Sequence, residues 1–234
     1  MIRTAFIILW VVLATTFWGI VAIIISFFSR TGNPVHIVAR IWAKSILVVS
    51  GIKVNIIGLS NINPSYSYIY MCNHQSNFDI PALLGCLPVQ FRWLAKAELF
   101  KIPIFGRAMR GAGYIGIDRF DQKSAFDSIK EASKKMKHGV SVMIFPEGTR
   151  SRDGDIGSFK KGGFIMAVDS GAPIVPIVIR GTRSIMAKGS LRINPGDINM
   201  EIEKPIDTAA YTRETKEDLI EHVRSIICKS FKKG

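Results

Sequence analysis

The sequence predicts an α/β protein in which helices cover a mostly parallel β-sheet, preceded by two membrane-associated N-terminal helices. Three observations support this prediction. Residues 4–29 carry no charge, short β-rich runs alternate with helical runs from residue 51 onward, and 234 residues suffice for one sizeable α/β core. We therefore expect a two-helix segment over residues 1–50 and one α/β domain over residues 51–234.

The first predicted helix is the apolar run of residues 4–29, bracketed by Arg3 and Arg30. At about 1.5 Å per residue it exceeds the roughly 30 Å hydrocarbon core of a bilayer, so a tilted spanning helix and a helix lying in the interface both fit. A cleaved secretory signal fits poorly, because the run is too long and ends without an A-x-A pattern. We therefore expect a membrane-associated helix.

The second predicted helix covers residues 35–50, after a break at residues 31–34. Arg40 and Lys44 are four residues apart and so share one face among apolar residues. Such a helix packs on a domain or lies at a membrane surface, and the apolar run before it favours the membrane. More positive charge follows the apolar run than precedes it, which predicts that the α/β domain lies on the cytoplasmic face of the cell inner membrane.

The remaining chain predicts seven strands and four helices. The strands are expected at residues 53–57, 67–72, 92–95, 114–117, 141–145, 174–179 and 198–202, and the helices at residues 79–85, 124–138, 161–170 and 215–231. Polar side chains follow several of these strands. Because open α/β sheets bind ligands at the carboxyl ends of their strands, we expect the functional site there.

The formal net charge of +13 indicates attraction to nucleic acid, anionic membrane or phosphorylated substrates. No zinc-finger spacing, RNP-type motif or basic-aromatic groove pattern supports nucleic-acid binding, so we expect no nucleic-acid partner. Three cysteines without C-x-x-C spacing argue against a disulfide framework or a zinc site. The chain also lacks G-x-S-x-G, P-loop and H-E-x-x-H motifs, and we expect neither a metal ion nor a cofactor.

His74 and Asp79 form the first candidate catalytic pair, directly after the predicted strand at residues 67–72. A carboxylate five residues along a turn can accept from one ring nitrogen of histidine and leave the other free to take a proton. The alternative is a turn-capping histidine beside a helix-capping aspartate. His36, His138 and His222 lack such a partner in the sequence and are interpreted as structural or surface residues.

Two further strand ends carry arginines. Arg150 lies in residues 148–151 after a predicted strand, where its guanidinium can bind a phosphate while Glu147 holds that group or a substrate hydroxyl. The alternative is a glycine turn with a surface ion pair. Arg119 follows another strand, beside Asp118. A phosphomonoester carries about −1.5 to −2 charges, so more than one cation is expected, and Lys96 is a third candidate.

Four blocks in this order resemble the glycerolipid acyltransferase family. They are His74…Asp79, Gly116…Arg119, Phe145–Ser151 and Val175–Ile177. They run from about residue 70 to 180, and the apolar N-terminal helix pair is similar too. The resemblance implies the glycerol-phosphate acyltransferase-like fold, a site lined by Val175–Ile177, and direct acyl transfer without a nucleophilic side chain.

Roles of individual residues follow from this resemblance. It implies that His74 is the general base and that Asp79 positions it. The substrate-binding residues that it implies are Lys96, Arg119, Glu147, Gly148, Thr149 and Arg150.

The resemblance also implies a reaction and its partners. An acyl carrier protein or coenzyme A thioester would donate a fatty acyl group to the sn-2 hydroxyl of 1-acylglycerol 3-phosphate (lysophosphatidic acid), giving phosphatidic acid next to membrane phospholipid. The lipid-anchored, compact chain favours this acceptor. The alternatives are an acyltransferase for glycerol 3-phosphate or another lysolipid, and a non-enzymatic anchor protein that binds anionic lipid.

Overall fold

A computed structural model describes residues 1–118 and 121–233. In this part of the chain seven strands form one sheet, and eight α-helices surround it. The strands are β1 (Val54–Ile57), β2 (Ile69–Cys72), β3 (Arg92–Lys96), β4 (Ile115–Ile117), β5 (Val142–Ile144), β6 (Ile174–Arg180) and β7 (Ile198–Ile202). The helices are α1 (Ile2–Ser26), α2 (Asn33–Val49), α3 (Asp79–Cys86), α4 (Pro103–Gly111), α5 (Gln122–Lys137), α6 (Gly162–Ser170), α7 (Thr182–Ile185) and α8 (Lys216–Lys232).

The sheet has the strand order β1-β7-β6-β2-β5-β3-β4. Strands β2 to β6 all run parallel to one another, whereas β7 pairs antiparallel with β6 and parallel with β1. The predicted mostly parallel sheet is therefore confirmed. Its consequence for function is geometric, because β2, β3, β4 and β5 all end at the same edge.

Each predicted strand is present within two residues of its expected bounds, but neither the four-residue helix α7 nor the longer helix α4 was predicted. Its sequence carries Gly106 and Gly111, which lower intrinsic helix propensity. A side chain at Gly106 would collide with the carbonyl of Phe100, and one at Gly111 would collide with Ser26 of α1. Tertiary packing thus requires the glycines that weaken the local helical signal.

Two core layers lie on opposite faces of the sheet, and β2 illustrates the division. Ile69 and Met71 pack in the layer that contains α5, α6 and α8, while Tyr70 and Cys72 pack in the layer that contains α2 and α3. All four side chains are buried. A strand with continuous apolar sequence is expected where helices cover both faces of a parallel sheet.

The turn between α1 and α2 is fastened to the sheet by Arg92 in β3. This side chain is 4% exposed, and its guanidinium donates to the carbonyl of Thr31 at 2.9 Å and to the carbonyl of Phe91 at 3.1 Å. These hydrogen bonds offset the cost of burying the charge. Gly32 in the same turn has φ of 75°, and an added Cβ would lie 2.8 Å from the Ala112 carbonyl oxygen. The turn therefore needs glycine for both its conformation and its close approach.

Candidate active site

A cavity of about 1170 Å³ opens at the sheet edge where β2, β3, β4 and β5 end. His74 lines it, and its walls differ in character. The apolar wall includes Trp18, Val38, Trp42, Leu84, Phe105 and Met109. The polar wall includes Lys96, Glu147, Gly148, Thr149, Arg150, Lys160 and Lys161. The cavity exceeds the roughly 300–1,000 Å³ of typical small-molecule sites, so it has room for a long ligand with a charged end.

The His74–Asp79 pair forms as predicted in geometry. The Nδ1 atom of His74 lies 2.7 Å from Oδ2 of Asp79, and this oxygen also accepts the backbone N–H groups of Gln75 at 2.7 Å and Ser76 at 2.8 Å. Asp79 is fully buried in the first turn of α3, where the helix dipole favours a negative charge. An ionised Asp79 therefore requires a proton on Nδ1, which leaves Nε2 of His74 as the basic nitrogen.

The backbone of His74 is held on both sides by the segment that follows β5. Its N–H donates to Oε1 of Glu147 at 2.8 Å, and its carbonyl accepts from the N–H of Ser151 at 2.8 Å. The imidazole also stacks on the Phe145 ring, with centroids 3.8 Å apart and an interplanar angle of 8°. The two motifs, in which His74 and Glu147 are 73 residues apart, therefore form one hydrogen-bonded unit around the imidazole.

Asn73 extends this unit to strand β6, a role that sequence reasoning missed. Its side-chain amide donates to the Ile179 carbonyl at 2.9 Å and its amide oxygen accepts the Ile179 N–H at 2.8 Å. The side chain thus copies the pairing of a backbone segment and continues the β2–β6 ladder beyond Cys72. An asparagine directly after a fully buried strand was the available signal, because such a polar side chain needs partners.

Glu147 is buried and faces backbone donors with both oxygens. Besides the His74 contact, Oε2 accepts the Gly157 N–H at 2.9 Å. Burial raises the pKa of this carboxyl above its ordinary value, against the opposing effect of the two hydrogen bonds. This geometry makes Glu147 a connector of three loop segments, and its predicted contact with substrate stays a prediction.

Most of the other predicted substrate-binding residues lie at the cavity. Its lining includes the cations Arg150 and Lys96 and also Gly148 and Thr149. The Lys96 ammonium lies 2.9 Å from a Glu98 carboxylate oxygen with both side chains nearly half exposed, so its charge is partly neutralised and well screened. Arg119, the remaining predicted phosphate ligand, lies outside the described residues.

The predicted lining of the site by Val175 and Ile177 is not observed. Val175 and Ile177 lie in β6 and are fully buried in the core layer beside Tyr70, so they support the sheet rather than line the cavity.

The Nδ1 atom of His36 lies 3.1 Å from the Tyr114 hydroxyl. Burial, assisted by the charges of Arg92 and Arg40, lowers the pKa of His36 to about 3. This histidine is neutral and structural.

The sequence itself matches a known family over the segment that builds this site. A profile of the Acyltransferase family matches residues 53–180, which is more than half of the chain. This range contains the His74–Asp79 pair, the segment after β5 and most of the parallel sheet. The chain therefore belongs to the Acyltransferase family.

Two individual proteins are similar in sequence to this chain. The chain is 44% identical over 173 residues to a chloroplastic 1-acyl-sn-glycerol-3-phosphate acyltransferase, LPAT1 of Arabidopsis thaliana, covering 73% of this chain and 48% of that protein. It is 32% identical over 188 residues to 1-acyl-sn-glycerol-3-phosphate acyltransferase alpha of Homo sapiens, covering 80% and 66%. The chain thus spans only about half the length of the plant protein.

The fold agrees with a solved structure over nearly the whole chain. The crystal structure of the 1-acyl-sn-glycerophosphate acyltransferase PlsC from Thermotoga maritima superposes with a TM-score of 0.84 at 29% identity. The match covers 99% of this chain and 94% of that one, so it includes the N-terminal helices. The predicted resemblance in fold is confirmed.

The connector role of Glu147 predicts a specific defect in Glu147→Gln. Glutamine offers one acceptor oxygen, so either the His74 or the Gly157 N–H loses its partner, at a cost of about 1–3 kcal/mol, and His74 shifts. We expect kcat of acyl transfer to fall by about 10- to 100-fold with little change in the acceptor KM. Steady-state kinetics of the purified variant measure both. Glu131→Gln, which alters an exposed ion pair with Lys135 on helix α5 outside the cavity lining, is the control. A raised acceptor KM at unchanged kcat in Glu147→Gln would instead indicate substrate contact.

Proposed function

We propose that this chain transfers a fatty acyl group from an acyl carrier protein or coenzyme A thioester to the sn-2 hydroxyl of 1-acylglycerol 3-phosphate, giving phosphatidic acid. The observation that carries the proposal is the His74–Asp79 pair at a cavity that apolar and cationic side chains both line. The names of the relatives support the same reaction.

The proposed chemistry uses His74 as a general base. Nε2 of the imidazole removes the proton of the acceptor hydroxyl while its oxygen attacks the thioester carbonyl carbon. Collapse of the tetrahedral intermediate breaks the carbon–sulfur bond, and the imidazolium returns the proton to the departing thiolate. Asp79 keeps Nδ1 protonated and stabilises the imidazolium. A thioester is already activated, so this route needs no acyl-enzyme.

The cationic wall supports recognition of the acceptor phosphate. Arg150, Lys160 and Lys161 line the cavity with Lys96, and the Glu147 carboxylate among them is directed at backbone N–H groups. A phosphomonoester needs about two positive charges for neutralisation. We propose that Arg150 binds this phosphate with Arg119, and that Gly148 and Thr149 shape the same segment.

The apolar wall supports binding of an acyl chain. Four of its residues, Thr15, Trp18, Gly19 and Ala22, come from helix α1, and Val38 and Trp42 come from α2. Glycerol 3-phosphate has no apolar group to place there. A 1-acylated acceptor and a fatty acyl donor both do, which favours 1-acylglycerol 3-phosphate over the soluble acceptor.

Helix α1 is proposed to attach the protein to a membrane without crossing it. In the described part of the chain it is the one helix long and apolar enough to cross, with a mean hydropathy of 2.5 and only 17% of its most apolar window buried. Near its start, Arg3 donates to the Ser50 carbonyl at 2.6 Å, and near its end Ser26 packs against Gly111. Because both ends contact the same domain, we propose that the helix lies in one leaflet.

The exposed face of α1 supports this orientation. Six of its large exposed side chains are Phe6, Leu9, Leu13, Phe17, Ile20 and Ile24. Their spacing of three and four residues places them on one stripe, opposite the residues that line the cavity. We propose that this stripe enters the cytoplasmic leaflet of the cell inner membrane, next to membrane phospholipid, with Arg30, Arg40 and Lys44 near the anionic headgroups.

The general-base assignment predicts a large loss of activity in His74→Ala. We expect kcat to fall by about 10²- to 10⁴-fold, while expression and membrane association stay normal. Asp79→Asn should also be damaging, because an amide replaces one carboxylate oxygen and removes the charge that stabilises the imidazolium. Thioester consumption by purified protein measures both. His222→Ala, an exposed histidine bonded to Tyr211, is the control. Near-normal turnover in His74→Ala would end the assignment.

The acceptor assignment predicts a product pattern. Purified protein receives glycerol 3-phosphate, 1-acylglycerol 3-phosphate or a neutral-headgroup lysolipid, each with acyl carrier protein and coenzyme A thioesters. We expect phosphatidic acid to dominate, because only the second acceptor offers both a phosphate and an acyl chain. Comparable use of glycerol 3-phosphate, or preference for the neutral lysolipid, would refute this acceptor. Failure to consume any thioester would favour a lipid-binding anchor protein.

The proposed orientation of α1 predicts that neither end of this helix is reachable from outside the cell. Cysteines introduced as Ile2→Cys and Phe28→Cys, both at highly exposed positions, should resist an impermeant maleimide in intact cells and react after lysis. Labelling of one position in intact cells would indicate a spanning helix. Labelling of both would place the helix and its domain outside.

A further inference from the structure

Lys188 lies in the loop after α7, outside every motif that the sequence singled out. Its ammonium donates to the Thr149 hydroxyl at 3.1 Å and to the Arg150 carbonyl at 2.6 Å. We propose that Lys188 is a positioning residue that fixes the Thr149–Arg150 segment for recognition of the acceptor phosphate. This inference rests on the proposed function of Arg150.

The local hydrogen bonds explain why this segment needs such a residue. On the N-terminal side of Thr149–Arg150, the Gly148 N–H donates to the Phe145 carbonyl. On the C-terminal side, the Ser151 N–H donates to the His74 carbonyl. Thr149 itself is exposed and Arg150 half-buried. Lys188 bonds to the two residues between these fixed points. A long arginine side chain binds a phosphate in a defined fork only if its backbone is held in place.

The position of Lys188 is itself determined by contacts on both sides along the chain. Before it, the Met186 carbonyl accepts the Ser76 hydroxyl at 2.7 Å, which connects this loop to the segment that carries His74. After it, the Ile193 N–H donates to the Thr4 hydroxyl at 3.2 Å and its carbonyl accepts from Arg3 of helix α1, also at 3.2 Å. Residues 186–193 therefore link the base, the arginine segment and the N-terminal helix.

The chemistry of the ammonium group favours positioning over direct substrate binding. An ammonium has three N–H donors, and two of them are used by protein oxygens. The Arg150 carbonyl contact is charge-assisted and short, so it is among the stronger hydrogen bonds that the loop makes. Lys188 thus acts on the phosphate through Arg150, and its loss should affect the acceptor rather than the thioester donor.

A double-mutant cycle between Lys188 and Arg150 tests the inference. Wild type, Lys188→Met, Arg150→Ala and the double variant are assayed in detergent micelles with 1-acylglycerol 3-phosphate and an acyl carrier protein thioester. We expect Lys188→Met to raise the acceptor KM about tenfold, with kcat and the donor KM within about threefold of wild type. In the Arg150→Ala background the same change should add nothing further. Lys188→Arg, which can donate to both oxygens, should restore most of the acceptor affinity.

Lys216→Met is the matched control, because the Lys216 ammonium also donates to an arginine carbonyl, that of Arg213 at 2.9 Å. Lys216 is the first residue of helix α8 and does not line the cavity. The control variant should leave the kinetics unchanged. An unchanged acceptor KM in Lys188→Met, while Arg150→Ala raises it, overturns the inference and leaves the proposed function intact. Independent losses in the double variant overturn positioning in favour of direct phosphate contact. If Arg150→Ala itself leaves the acceptor KM unchanged, the proposed function of Arg150 fails.

Discussion

The buried carboxylate of Asp79 is the interaction on which the site depends. One of its oxygens accepts three hydrogen bonds, from the His74 ring and from the N–H groups of Gln75 and Ser76. A carboxylate without exposure to water is costly unless such donors surround it, so the turn after β2 closes tightly around it. The same closure begins helix α3 and orients the imidazole. The contacts that close this turn are therefore also the contacts that orient the proposed base.

The second constraint is that the proposed base and the proposed phosphate-binding segment belong to one hydrogen-bonded unit. Both backbone groups of His74 bond to the segment after β5, through Glu147 and Ser151, and the imidazole stacks on Phe145. The parallel pairing of β2 with β5 brings these two segments to the same edge. Proposed acceptor binding and proton removal thus share one hydrogen-bonded frame, which lowers the entropic cost of aligning the hydroxyl with Nε2.

The sequence was most informative where structure is locally encoded. Strands such as Ile69–Cys72 are continuous apolar runs bounded by polar turns, and the His74–Asp79 contact spans only five residues. Helix α4 escaped prediction because its glycines serve close contacts, of Gly106 with Phe100 and of Gly111 with Ser26 in α1, that no local pattern records. The roles of Asn73 and Lys188 escaped for a related reason, since their partners lie 106 and about 38 residues away along the chain. Long-range hydrogen bonds leave no periodic signal.

Helix α1 has one exposed apolar face and one face that lines the cavity. Its outward stripe leaves Phe6, Leu13 and Phe17 more than half exposed, while the opposite face supplies Trp18 and Ala22 to the cavity wall. Apolar surface of this extent is unfavourable in water, so in the proposed orientation the hydrophobic effect would draw the stripe into a leaflet and hold the cavity against the lipid. In the proposed orientation a substrate with an acyl chain passes from one apolar medium to another. The aqueous exposure of that chain, which would otherwise dominate the cost of binding, is then avoided.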